Sequence, residues 1–329
     1  MHNINAQYIA GIIGRMLLLL IAVSILSFIL ITGSPIDTLT SYIGPESTLS
    51  QEAREAIAEY WGLNDPPPER YLTWVKNILH GDFGISITYK QPVIEVIKER
   101  FSYSIVLMLC AWMLSGVLGF VLGIIAAVKQ GSPFDRATKV FCLGLQSAPT
   151  FWIGLLLLSL FAVTLGWFPI GMAVPMGKLA EDVTLWDKVY HLILPVITLS
   201  LLGVGKITLY TRQKLIEVMS SDFILFARAR GESEKQLVTR HCLRNIGLPV
   251  ITIQFASFSE LFGGMVLAET VFSYPGIGTA TTAAAVNGDV PLLLGIALFS
   301  AIFVFVGNLA ANILYGALDP RIKEAGDYV

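Results

Sequence analysis

The segment Phe101–Val128, FSYSIVLMLCAWMLSGVLGFVLGIIAAV, carries no charged side chain and is apolar along its whole length. A helix that crosses the hydrocarbon core of a membrane needs about 20 consecutive residues of this kind. The segment therefore predicts a transmembrane helix.

Five further stretches between charged residues have a similar composition: Met16–Ile36, Val140–Gly177, Val189–Gly205, Asn245–Ala268 and Val290–Leu318. The whole chain is 54% hydrophobic and 14% charged, whereas a soluble domain carries roughly 25% charged residues. Its mean hydropathy of +0.69 points the same way. These features predict an all-α polytopic membrane protein with about six transmembrane helices, surrounded by lipid.

The distribution of basic residues predicts the orientation. Of the 22 Lys and Arg residues, 14 fall in segments 1–15, 129–139, 206–244 and 319–329. Lys and Arg in short loops are enriched on the cytoplasmic side, so both termini are expected in the cytoplasm. Arg15 precedes the first span, and the run after it lacks a small-residue cleavage site, which favours an uncleaved helix over a signal peptide.

Three parts follow from this topology. Residues 1–36 form the N-terminal tail and first span, 37–100 an extracytoplasmic segment with short helices, and 101–329 a five-helix core. In the second part, Thr48 and Gln51 have the spacing of a capping box that opens a helix. This segment is interpreted either as a helical cap on the membrane or as a docking surface for an extracytoplasmic partner, and the two interpretations are compatible.

The cytoplasmic stretch 206–249 contains a short amphipathic helix. Ser220-Ser221-Asp222 offers N-cap chemistry, an apolar and basic run follows, and Gly231 ends it. Such a helix can lie on anionic lipid or place its apolar face in a groove of a partner protein. Its periodicity alone leaves both interpretations open.

Four stretches resemble binding-protein-dependent ABC importer permeases of the dipeptide, oligopeptide and nickel branch. The first is DFILFARARG at 222–231 with RHCLRNIGLP at 240–249, although the Glu-Ala-Ala of the broader permease consensus is missing. The others are GDFGIS at 81–86, ETVFSYPGIG at 269–278 and LDPR at 318–321. They occur in order along nearly the whole chain.

The resemblance implies the permease fold of a type I ABC importer, in the inner membrane of a bacterial or archaeal cell. It also implies a second homologous permease subunit, normally in a heterodimer, two cytoplasmic ATPases and an extracytoplasmic substrate-binding protein. Nucleic acid is not an expected partner. The coupling residues that it implies toward the ATPases are Asp222, Phe223, Phe226, Ala227, Arg228, Ala229, Gly231, Arg240 and Arg244. Phe223 and Phe226, or Ile224, are the expected apolar anchors.

Hydrolysis of ATP is expected in the partner subunits, because this sequence has no phosphate-binding loop. The nearest match runs from Gly171 to Leu179. It has one residue too many between its glycines, and Leu179 replaces the hydroxyl residue that binds Mg²⁺. The chain is therefore expected to be a pore-forming subunit rather than an enzyme, with no metal site and no cofactor of its own. ATP and Mg²⁺ would be bound by the ATPases.

A small set of residues is a candidate for the translocation pathway or its gate. Glu260 is the only charged residue within a predicted span, and such residues tend to face a bundle interior or an aqueous cavity. It is interpreted either as a pathway carboxylate or as a structural or interfacial one. Glu269, Tyr274, Pro275 and Gly276 belong to a turn before the last span, which is either a gate or an ordinary connector.

The transported substrate is left open among short peptides, nickel and metal–chelate complexes. The main alternative function is a secondary transporter or channel that does not need ATP. Such proteins usually carry several intramembrane charges or internal repeats. An intramembrane enzyme would need paired catalytic groups within the spans, and a structural assembly factor would not need the coupling segment.

Overall fold

The computed structural model describes residues 6–33, 50–52, 55 and 65–318. Within these ranges the chain is helical, and extended pairing is limited to one bridge between Ile85 and Pro92. The main helices are α1 (Ala6–Thr32), α2 (Pro67–Leu79), α3 (Val93–Val128), α4 (Pro133–Ser147), α5 (Thr150–Leu157), α6 (Leu185–Met219), α7 (Asp222–Ala229), α8 (Glu234–Gln236), α9 (Leu243–Ala256), α10 (Phe258–Val271), α11 (Ile277–Val286) and α12 (Val290–Leu318). The predicted helix that starts at Thr48 and the C-terminal LDPR stretch fall largely outside the described residues.

Three described helices are long and apolar enough to cross a membrane, namely α3, α6 and residues 290–311 of α12. The number of spans rises to five if each of two bent helix pairs is counted as one span. The first pair is α4 and the helix from Thr150 to Thr164. The second pair is the helix from Glu234 to Ala256 and α10. The first predicted span, Met16–Ile36, overlaps α1, whose apolar part, Gly14–Leu30, is shorter. The all-α fold is thus confirmed, whereas the count of six and the orientation of the termini stay predictions.

The third predicted span is not one straight helix. Its two helices meet at 111°, and the break lies at Ala148, which is extended with ψ of 136°. Pro149 follows Ala148, and a residue before proline is disfavoured in the helical region. Beyond α5 the chain continues as a π-helical turn, Leu158–Thr164, so the helical part ends well before Gly177.

The fifth predicted span is also bent, by 48° between α9 and α10. At the break, Ser257 Oγ donates to the backbone carbonyl of Gln254 over 2.8 Å. The same carbonyl accepts a 3.0 Å hydrogen bond from Trp112 Nε1. Side chains that occupy a helical carbonyl in this way compete with the regular backbone ladder, and they account for the change of direction.

The chain divides into two structural units. In the described part of the first, residues 1–102 and 276–305, α2 packs on α1 through a 2.8 Å hydrogen bond between the hydroxyls of Ser24 and Tyr71. The start of α3 packs against α11 and α12 through a buried apolar cluster that includes Val93, Ile97 and Leu292. The fully buried Asp289 accepts hydrogen bonds from Ser86 Oγ (2.5 Å) and the Thr88 amide (2.9 Å). It thereby fixes the loop that contains GDFGIS to the start of α12.

The second unit comprises residues 103–275 and 306–329, of which those up to 318 are described. Glycines allow α3 and α6 to approach closely here. A Cβ built on Gly119 would lie 2.8 Å from Ile207 Cβ, and one on Gly123 would lie 2.6 Å from Thr211 Cβ. Gly119 and Gly123 therefore form a packing surface of α3 for α6. This unit contains the predicted coupling segment.

Candidate coupling and translocation sites

Helix α7, Asp222–Ala229, has one face packed into the chain and one face open. Ile224 is fully buried and Ala227 is 3% exposed. Both belong to a cluster with Ala127 of α3, Leu215 of α6 and Ile246 of α9. Outside this buried face lie Phe226, which is 76% exposed, and Phe223, which is 47% exposed. The two aromatic rings are therefore free to insert into another protein, while Ile224 anchors the helix to its own subunit.

Helix α7 starts at the predicted position, but the predicted capping hydrogen bond is not formed. Ser221 is the N-cap residue, yet its side chain makes no capping bond. Its Oγ donates instead to the Val218 carbonyl over 2.5 Å. That bond ties the start of α7 to the end of α6, so the two helices form a continuous corner.

The end of α7 is fixed by Gly231 and Glu232. Gly231 has a φ of +89°, a left-handed conformation that glycine adopts without steric cost. Glu232 Oε2 lies 2.9 Å from His241 Nε2, and its Oε1 accepts a 3.2 Å hydrogen bond from Arg230. The hydrogen bond from His241 is the main cause that lowers the pKa of the Glu232 carboxyl. This pair holds the exit of α7 against the returning chain.

The returning chain starts with a capping box in which Ser233 and Gln236 bond reciprocally. It then forms a π-helical segment, Leu237–Cys242, before α9. Leu237 and Cys242 are fully buried in the cluster beneath α7. All but one of the predicted coupling residues are exposed: Asp222, Phe223, Phe226, Arg228, Ala229, Gly231, Arg240 and Arg244. Ala227 is the buried exception.

A buried ion pair at the base of this region was not predicted from the sequence. Asp135, in the first turn of α4, is fully buried and accepts hydrogen bonds from Arg212 Nε (2.5 Å) and Nη2 (2.8 Å). It also accepts a 2.9 Å hydrogen bond from the Gly131 amide. Arg212 lies on α6 one turn before Leu215, which packs under α7. The pair thus joins the α3–α4 turn to the helix that leads into α7.

Glu260 lies in the first turn of α10 and pairs with Lys206 of α6. The Lys206 Nζ to Glu260 Oε2 distance is 2.9 Å, and the side chains are 43% and 58% exposed, respectively. The preceding residue, Ser259, donates a 2.5 Å hydrogen bond to Oδ1 of the exposed Asn308. Glu260 therefore lies at an open polar surface, and its partner was not predicted.

The remaining predicted pathway residues are mostly buried. Glu269, at the end of α10, is fully buried and accepts a 2.5 Å hydrogen bond from Ser104 Oγ. Its carbonyl accepts a 2.9 Å hydrogen bond from the Tyr274 amide, which closes the turn. Tyr274 is 4% exposed, and its burial raises the pKa of the phenol. Pro275 is half-buried, and the buried Gly276 is the N-cap of α11.

A family model described as the binding-protein-dependent transport system inner membrane component matches residues 119–324. The matched range contains α7, the Asp135–Arg212 pair and Glu260. The chain belongs to this family. The family predicted from the four sequence stretches is thereby confirmed, and the chain is an integral membrane permease.

Members of the binding-protein-dependent permease family match almost the whole chain. The oligopeptide transport system permease protein AppB of Bacillus subtilis (strain 168) is 38% identical over 307 residues, covering 93% of this chain and 95% of AppB. The dipeptide transport system permease protein DppB of Escherichia coli (strain K12) is 32% identical, covering 97% of this chain and 99% of DppB. The predicted role as an ABC importer permease is confirmed, in preference to a secondary transporter or channel.

A solved structure supports the permease fold. A chain of the MetNI methionine ABC transporter, in an inward-facing conformation, superposes with a TM-score of 0.55. The match covers 69% of this chain and 97% of the MetNI chain, at 13% sequence identity. This similarity shows that the two chains share a fold.

Proposed function

We propose that this permease forms half of the translocation pathway of an ATP-driven importer of di- or oligopeptides. AppB and DppB are peptide permeases by name, and they match over nearly their full lengths. This favours peptides over nickel or metal–chelate complexes, the other substrates of the branch. The chain would reside in the inner membrane of a bacterial or archaeal cell.

The proposed assembly contains a second homologous permease, two cytoplasmic ATPases and an extracytoplasmic binding protein. The ATPases bind ATP and Mg²⁺, and this chain supplies no catalytic residue. Its partner permease is a different chain, so that the pathway lies within a heterodimer. Substrate reaches the pathway from the binding protein, and residues 37–100 are positioned by the predicted topology to receive it.

The observation that carries the proposal is the division of α7 into a buried face and an open aromatic face. Aromatic side chains that fill a pocket often dominate the energy of an interface. Phe226, at 76% exposed, is placed to enter a groove of an ATPase, while the buried Ile224 transmits the resulting displacement to α3, α6 and α9. Asp222, Arg228, Arg240 and Arg244 are further exposed charges of the coupling segment. Movement of the ATPases would thus reorient the spans.

Glu260 is the proposed pathway residue, and the Glu269–Gly276 turn is the proposed gate element. Glu260 is exposed within a bent span, which suits a surface that contacts a charged substrate group. Glu269, Tyr274, Pro275 and Gly276 form a turn with a buried carboxylate and a buried phenol, which suits a rigid element. The turn would move as a body when the spans reorient.

The test is purification of the complex from native membranes in mild detergent, followed by reconstitution into liposomes. We expect recovery of a second permease and two ATPases, and uptake of short peptides that requires ATP and the binding protein. Elemental analysis of the bound ligand checks for nickel in the same sample. A chain that purifies alone and transports without ATP overturns the proposal.

A further inference from the structure

The exposed ion pair between Lys206 and Glu260 lies between two helices that are apolar enough to be spans. Lys206 belongs to α6, and Glu260 belongs to the bent pair that ends with α10. Charged side chains are costly in hydrocarbon and therefore face a protein interior or a water-filled cavity. Because the predicted topology places Lys206 at the cytoplasmic end of its span, the open side of this pair is expected to face the aqueous pathway near its cytoplasmic mouth rather than lipid.

The face of α10 that carries Glu260 has room beside the carboxylate. Gly263 is one turn further along, and residues three apart share a helix face. It is exposed, and a Cβ built on it would meet no atom within 4 Å. Leu261, Gly264 and Met265, by contrast, are buried against the rest of the second unit. The surface next to Glu260 is therefore open and without a side chain that fills it.

The pair itself is easy to separate. Exposed ion pairs contribute little net stability, because solvent competes for both charges. The Lys206 and Glu260 side chains are long and are attached to different helices, so rotamer changes can move the two charges apart. A ligand with one positive and one negative end can then replace one protein ion pair with two.

We propose that Lys206 and Glu260 bind the two charged ends of a peptide in the pathway. Glu260 accepts hydrogen bonds from the terminal ammonium group, and Lys206 donates to the terminal carboxylate. An extended tripeptide spans about 10–11 Å at 3.3–3.6 Å per residue, so the two side chains must rotate apart from their 2.9 Å contact to reach both of its ends. The inference rests on the proposed peptide transport and names the substrate groups that this chain recognises.

The first test measures binding to the purified transporter complex without its binding protein. The probes are trialanine, N-acetyl-trialanine and trialanine amide, each titrated at millimolar concentration by calorimetry. We expect trialanine to bind most tightly to the unmodified complex. Glu260→Gln is expected to weaken trialanine binding about tenfold but to leave N-acetyl-trialanine binding unchanged, since a charge-assisted hydrogen bond has been lost only for the free amine. Lys206→Gln is expected to show the same pattern with trialanine amide.

The control is Glu217→Gln, which removes another exposed ion pair on α6, that of Lys214 with Glu217 at 2.9 Å. It should change none of the three affinities. Equal weakening of all three probes by Glu260→Gln would identify the pair as a structural contact, for example with the second permease, and would overturn the inference. Absence of trialanine binding to the unmodified complex would also overturn it. The proposed function is judged separately, by ATP-dependent peptide uptake with the binding protein present.

Discussion

Asp135 and Arg212 form a two-pronged ion pair between α4 and α6, in which the carboxylate is fully buried and the guanidinium side chain is 13% exposed. The carboxylate also holds the Gly131 amide of the α3–α4 turn. Bidentate pairs of this kind combine charge with fixed geometry. The pair therefore fixes the end of α3 relative to the helix that leads into α7.

Asp135→Asn should destabilise the subunit, because it leaves Arg212 without its counter-charge. Removal of one partner from a buried pair costs about 3–5 kcal/mol. We expect a lower thermal unfolding midpoint for the purified complex than for the unmodified protein. The control is Glu217→Gln, which disrupts an exposed ion pair on α6, the helix that carries Arg212. It should leave the midpoint unchanged. Equal midpoints for all three proteins would contradict a structural role for Asp135.

The two faces of α7 should respond differently to truncation. Ile224→Ala removes a fully buried side chain and should cost about 2–5 kcal/mol of stability. Phe226→Ala removes an exposed ring and should leave the unfolding midpoint unchanged while it uncouples ATP hydrolysis from peptide uptake. Both quantities are measured in the reconstituted complex. Normal uptake by the Phe226 variant would show that its ring has no part in coupling.

The effect of a replacement at Gly231 should depend on the backbone conformation that the new residue can adopt and not on the size of its side chain. A Cβ at this position would meet no atom within 4 Å, but its φ of +89° excludes proline, which fixes φ near −65°. Gly231→Pro should therefore displace the exit of α7 and uncouple transport, without loss of membrane insertion. Gly231→Asn is the matched control, because asparagine enters the left-handed region more readily than most residues. The experiment compares uptake per ATP hydrolysed; equal values for the two variants would refute the explanation.

Gly123 should not accept a side chain. The Cβ of a larger residue would lie 2.6 Å from Thr211 Cβ and 2.8 Å from the Thr208 carbonyl oxygen. Gly123→Val is expected to separate α3 from α6 and to lower both expression and the unfolding midpoint. Gly144→Ala in α4 is the control, since it has open space and alanine favours a helix by roughly 1 kcal/mol over glycine. A Gly123 variant as stable as the control would mean that the two helices can move apart freely.

Much of the helical framework was accessible from composition alone. The apolar stretch Phe101–Val128 lies within α3, and the predicted span Val189–Gly205 lies within α6. Uncharged runs of this length have few alternatives to a membrane helix. The bends were less accessible: Pro149 offered a signal for the break after α4, whereas the break at Ser257 depends on a hydrogen bond from Trp112, which lies in another helix.

The candidate sites divide in the same way. The local sequence indicated the start of α7 at Ser221 and its end at Gly231, because such signals act between near neighbours, although Ser221 makes no capping bond. The partners of Asp135 and Glu260 are 77 and 54 residues away, respectively, and depend on how the helices pack. Which aromatic residue of α7 faces outward is likewise decided by the cluster beneath it. Glu260 could be singled out as a rare charge, but Lys206 could be identified as its partner only from the structure.

Pro195 lies inside α6, where its ring removes one backbone hydrogen bond of the helix. From Pro195 to Met219 the helix rises about 36 Å at 1.5 Å per residue. Over that length, a tilt of about 10° at Pro195 would displace the corner between α6 and α7 by about 6 Å. Conversely, a displacement of several ångströms at the corner between α6 and α7 requires α6 to rotate by only a few degrees at Pro195. Closely packed helices that tolerate only small rotations can therefore accommodate a large displacement of this corner.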